Sequence, residues 1–93
     1  MEIEFDDAKR QDTLRRRGLD MAEAGLVFAG TTLTFSDVRL NYGEIRNLTV
    51  GFLHGRMVIV CWTQRGDARR IISIRKTNER ETRTYRGSFG IGT

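Results

Sequence analysis

The sequence predicts an α+β domain: an antiparallel sheet of about four to five strands, with two helices before it and one after it. Three observations carry this reading. Apolar residues recur at three- and four-residue steps between residues 21 and 28. From 45 to 76 they alternate or run on continuously, as in strands. Capping residues stand at the starts of the helices before and after the strands, Asp20 ahead of residue 21 and Asn78 after residue 76. The order reads β-α-α-β-β-β-β-α, and hairpin-linked strands favour antiparallel pairing with the helices on one face.

Ile3 and Phe5 alternate with Glu2 and Glu4, a short edge strand. Asp6 caps a helix that carries Asp7 in its first turn and Arg15, Arg16 and Arg17 in its last, where each charge complements the helix dipole. Gly18 stops it, and its apolar content, Ala8 and Leu14, leaves a narrow packing face. Asp20 and Glu23 have capping-box spacing, and Met21, Ala24, Val27 and Phe28 form the stripe of a second helix that ends at Gly30. Strands follow at 31–38 and 45–53, the latter with Leu48, Val50 and Phe52 on one face. His54-Gly55 is a two-residue hairpin turn. The near-continuous apolar run 57–63, with Cys61 as a buried, inert thiol, is a central strand covered on both faces. After a turn at 64–68, the last strand, 69–76, is expected to pack Ile72 and Ile74 against the helices. Ile71, Ser73 and Arg75 then lie on the other, open face. Asn78 and Glu81 form a capping box for a helix to about residue 85 or 86. Residues 1–86 make a single domain, and 87–93 a glycine-rich tail expected to fray.

With 93 residues, 39% hydrophobic and 30% charged, the chain has room for one thin core. No apolar run approaches the ~18 residues of a membrane span, and the acidic N-terminus does not match a secretory signal. One cysteine and one histidine argue against an internal disulfide, a Cys or His metal cluster and a Ser-His-Asp triad. The expected setting is reduced and cytoplasmic. The net charge of +4 is unevenly placed. Residues 1–64 hold 8 Lys/Arg and 9 Asp/Glu, whereas 65–86 hold 8 Lys/Arg and 3 Asp/Glu. A concentrated arginine field points to a phosphate-bearing or acidic partner.

The strongest local signal is Arg70-Ile71-Ile72-Ser73-Ile74-Arg75-Lys76, followed by Glu81 and Tyr85 four apart on one helix face. A guanidinium at Arg75 suits bidentate phosphate binding and stabilisation of charge in phosphoryl transfer. It equally suits a tie to Glu81 or Tyr85. Cleavage of RNA needs neither metal nor a histidine pair, because the 2′-hydroxyl is an internal nucleophile. The protein aligns it and stabilises the phosphorane, with Tyr85 or a lysine moving protons. His54 reads as a turn residue.

These motifs resemble the BrnT family, toxins of bacterial type II toxin–antitoxin pairs. The matching segments are Phe5-Asp6-Asp7-Ala8-Lys9, Val27-Phe28, Gly43-Glu44-Ile45-Arg46, Gly55-Arg56 and the closing Arg70-Ile71-Ile72-Ser73-Ile74-Arg75 with Glu81 and Tyr85. Thr13 stands where the family has Asn, and Arg17 where it has His. If that His moves protons, this chain lacks the function; if the pair packs the first two helices, little changes. The resemblance implies a RelE-like ribonuclease fold, RNA cleavage and growth arrest. It also implies a BrnA-like ribbon-helix-helix antitoxin that brings the complex to operator DNA. The candidate catalytic residues are Lys9, Arg46, Arg70, Arg75 and Tyr85, with Arg56, Arg65 and Lys76 as RNA-binding candidates. Arg46 and Arg70 have possible structural partners in Glu44 and Asp67. No metal, cofactor or membrane is implied. The alternative is a non-catalytic basic module that docks an antitoxin or nucleic acid.

Overall fold

The computed structural model describes residues 2–37 and 43–89. The last residue of the strand expected at 31–38 and tail residues 90–93 lie outside the described residues. The elements are β1 (Glu2–Glu4), α1 (Asp7–Arg17), a 3-10 turn (Met21–Glu23) running into α2 (Ala24–Ala29), β2 (Leu33–Ser36), β3 (Asn47–Leu53), β4 (Arg56–Arg65), β5 (Ala68–Lys76) and α3 (Glu79–Ser88). The five strands form one sheet in the order β1-β5-β4-β3-β2. No helix among the described residues is long and apolar enough to cross a membrane.

Four strands pair antiparallel through their hairpins, but β1 adds to β5 in parallel, matching Glu2, Ile3 and Glu4 with Ala68, Arg69 and Arg70. The sheet is therefore mixed, because its first strand joins its last one and α1 intervenes between β1 and the rest of the chain. The helices also divide. The 3-10 turn and α2 cover the face that carries Val58, Val60, Trp62, Ile71 and Ile74. α3 packs Tyr85 and Phe89 on the opposite face, against Val50, Met57 and Ile59. The one-face arrangement expected from the element order fails because β3 and β4 are apolar on both faces, and each face needs a cover.

The caps explain the helix bounds. Asp6 accepts the Ala8 N–H at 2.8 Å, and Gly18, at φ 71, closes α1 by donating to the Leu14 carbonyl. No residue of α1 is buried, so polar ties hold it in place. Arg10 grips Asp20 through Nε at 2.7 Å and Nη2 at 3.0 Å, and Arg17 Nη1 donates to the Ile74 carbonyl at 2.9 Å. The second tie places the departed position 17 in the packing of α1 on β5. Asp20 also accepts from the Ala22 N–H, whereas Glu23 does not reach back to complete a box: its carboxylate lies 2.9 Å from His54 Nε2. His54 occupies the β3–β4 turn with φ 50, next to Gly55 at φ 80. α3 runs past the expected stop to Ser88, and Phe89 then packs on Phe52 with ring centroids 5.2 Å apart.

The largest departure lies in β5. Cys61 pairs with Ser73 but Trp62 with Ile71, so a bulge at Ile72 shifts the alternation by one. Ile71 (2% exposed) and Ile74 (0%) share one core, while Ile72 lies part-exposed beside α1. The expectation that Ile72 and Ile74 pack together is thus corrected. Arg75 still opposes Ile74, and it stands opposite Ile59 on the face that α3 covers. Within the core, the Trp62 indole donates to Thr49 at 2.7 Å, and the Thr49 and Thr34 hydroxyls lie 2.8 Å apart, so the buried Thr49 oxygen is satisfied.

At Gly51, β3 lies close against α2. A Cβ there would stand 2.7 Å from Val27 Cγ1 and 3.0 Å from Thr32 Cγ2. Gly51→Ala is expected to destabilise the domain by about 1–3 kcal/mol through overpacking. A urea midpoint equal to that of the wild type would show that α2 has room to yield.

Candidate active site

The described residues leave part of the α3 face of the sheet open. Between β2, β5 and α3 they leave a cleft of about 360 Å³ lined by Phe35, Asp37, Ile59, Arg75, Glu81 and Tyr85 among others. β5 supplies Arg75 because this residue alternates with the buried Ile74 and pairs with Ile59, whose face this is. Helical spacing supplies Glu81 and Tyr85 together. Arg75 and Glu81 form a fork-to-fork pair, with Nη1 to Oε1 at 2.8 Å and Nη2 to Oε2 at 2.7 Å. Of the two partners open at the sequence level, Glu81 is therefore the one Arg75 holds. Glu81 is fixed from behind as well. Its Oε1 accepts the Asn78 N–H at 2.9 Å, and its own N–H donates to Asn78 Oδ1 at 2.8 Å. The Arg75 guanidinium above all, and the Asn78 amide, hold the Glu81 carboxyl down at about 2.

That depressed value sets an acid limb. A group with a lowered folded pKa contributes stability that is complete above its unfolded value, 4.5, and lost as pH falls towards about 2. Glu81→Gln is accordingly expected to flatten the fall in melting temperature between about pH 4.5 and 2. Parallel acid limbs for the two proteins would show that the pair contributes nothing to folding.

The other candidates are spread over the molecule. Lys9 lines a smaller cleft, of about 170 Å³, between α1 and the edge of β5, with Thr13, Arg17 and Ser73. Arg46, just ahead of β3, is largely covered and lies 3.8 Å from Glu44. Both cations act on the half-buried Cys61, whose thiol burial pushes up while Arg46 and Lys9 pull it down. Arg70 stands at the other end of β5 from Arg75, 3.9 Å from Glu4, so its neighbour is Glu4 and not Asp67. Arg56 and Arg65 bound β4 and are exposed, about 30 Å apart at strand rise. Lys76 is exposed and pairs with Val58 near the Arg56 end. Of the predicted residues, the cleft on the α3 face thus joins Arg75 and Tyr85. Arg69, part of the basic field, stacks on Phe28 and Trp62 at 4.5 Å from each ring. Phe35 and Asp37 in the cleft wall carried no signal in the sequence, since folding alone brings them into one cleft with Tyr85 and Arg75. Among the described residues, no three His, Cys, Asp or Glu side chains cluster to hold a metal ion.

A family model described as the ribonuclease toxin BrnT of type II toxin–antitoxin systems matches residues 5–81. The chain belongs to the BrnT family. The match spans α1 through the first turn of α3, and so includes Arg75 and Glu81 but stops before Tyr85. No curated protein matches the chain. Membership of the BrnT family makes RNA the target class and an antitoxin the partner.

Proposed function

We propose that this BrnT chain is a metal-independent RNA endonuclease that arrests growth in the cytoplasm and is neutralised by a ribbon-helix-helix antitoxin. The observation that supports the catalytic reading is the meeting of Arg75 and Tyr85 in one cleft. The RNA 2′-hydroxyl attacks the adjacent phosphorus and the bond to the 5′-oxygen breaks, leaving a 2′,3′-cyclic phosphate and a 5′-hydroxyl. The nucleophile loses a proton and the leaving oxygen gains one. Arg75 faces the charge that builds on the phosphoryl oxygens. Glu81, with its carboxyl held near 2 and both oxygens engaged, is a weak base; its part is to aim the guanidinium. Tyr85 is the proton-transfer group in reach of the same cleft. Lys9, Arg46 and Arg70 sit outside that cleft, and we assign them, with Arg56, Arg65 and Lys76, to the backbone of a longer RNA. The exposed basic residues of the last third serve the antitoxin as well as RNA.

The test is cleavage of RNA by the purified chain in EDTA. Cleavage is expected to persist, with cyclic phosphate ends. Loss on chelation with recovery in Mg²⁺ or Mn²⁺ would overturn the metal-free reading. The tight Arg75–Glu81 fork favours one alternative, a non-catalytic docking surface. No cleavage under any condition, with antitoxin still bound, would select it.

A further inference from the structure

We propose that Phe35 is a base-stacking residue, forming with Tyr85 the aromatic wall on which a nucleobase next to the scissile phosphate lies. This rests on the RNA-cleavage reading and adds a nucleobase subsite to it. Phe35 is 41% exposed, one of four large apolar side chains left in solvent among the described residues. It is buried in neither hydrophobic cluster and meets the second only by stacking on Tyr85, so burial does not account for it. Its ring lies within 27° of parallel to that of Tyr85, with centroids 6.3 Å apart, and both line the cleft that holds Arg75. β2 pairs Phe35 with Leu48, β3 pairs Leu48 with Cys61, and Ile59 on the same face of β4 pairs with Arg75. Phe35 and Arg75 therefore rise from one face, three strand spacings and two residues of register apart, about 16 Å at the backbone. Two long side chains reaching inward close that gap to the scale of one nucleotide. A flat aromatic surface beside a fixed guanidinium presents a stacking face and a phosphate ligand together, the two features that single-stranded RNA sites combine.

The experiment compares the wild type with Phe35→Leu and Phe35→Trp. One readout is cleavage of RNA. The other is binding of a non-cleavable 2′-O-methyl oligoribonucleotide and of the same oligomer with abasic positions. Phe35→Leu is expected to lose roughly tenfold to a hundredfold in affinity for the intact oligomer and little for the abasic one. Phe35→Trp is expected to stay near the wild type, with its added indole fluorescence quenched on binding. Equal affinity and cleavage in Phe35→Leu would overturn the proposal and leave the cleavage reading intact. Quenching and base-dependent binding without cleavage would support the stacking site while the catalytic reading fails. Loss of antitoxin binding in Phe35→Leu, with RNA binding unchanged, would overturn it and assign the ring to the protein partner. Because Phe35 lies outside both core clusters, both variants should fold, which circular dichroism checks.

Discussion

Arg75→Ala is expected to lower the rate of RNA cleavage by about a hundredfold to a thousandfold, the size of a lost charge-stabilising donor, while the domain stays folded. The guanidinium is the cation that β5 delivers into the α3-face cleft, and Glu81 holds it in a two-bond fork. Its side chain is 44% exposed, so the ion pair itself is worth little to folding, within about 1 kcal/mol. Arg75→Lys should not restore the rate, because an ammonium cannot contact two phosphate oxygens and keep the Glu81 fork. The measurement is single-turnover cleavage beside a thermal melt. A folded Arg75→Ala protein that cleaves at the wild-type rate would reduce the fork to a strand-to-helix tie.

Ile74→Ala is expected to cost about 2–5 kcal/mol, against about 1 kcal/mol for Ile72→Ala. Ile74 is wholly buried between β4 and the α2 side, whereas Ile72 sits on the bulge, part-exposed beside α1. A domain of this kind has about 5–15 kcal/mol in all, so Ile74→Ala should also reduce the yield of folded protein. Urea unfolding of the pair decides the point. Equal losses, or a larger loss in Ile72→Ala, would mean that β5 lacks the bulge and that Ile72 packs beside Ile74, with Arg75 still on the opposite face.

Elements governed by neighbours in the chain were legible in the residues. Asp6, Gly18 and Asn78 bound their helices as capping chemistry requires, and His54-Gly55 makes the turn its types suit. The continuous apolar run through β4 marked the strand that is covered on both sides. Glu81 and Tyr85 were readable as one helix face, and Arg75 was readable as a neighbour of Glu81, because six residues and one turn separate them. What tertiary structure alone decided involves partners far apart in the chain. The bulge at Ile72 appears only when β5 is laid against Cys61 and Trp62. β1 finds β5 across more than sixty positions, and its parallel sense follows from where α1 returns the chain. α3 crosses to the second face because Val50, Met57 and Ile59 leave apolar surface there. Phe35 and Tyr85, fifty residues apart, become one aromatic wall by the same packing. Periodicity reports which side of an element is apolar; which surface covers it is set by burying all the apolar faces at once.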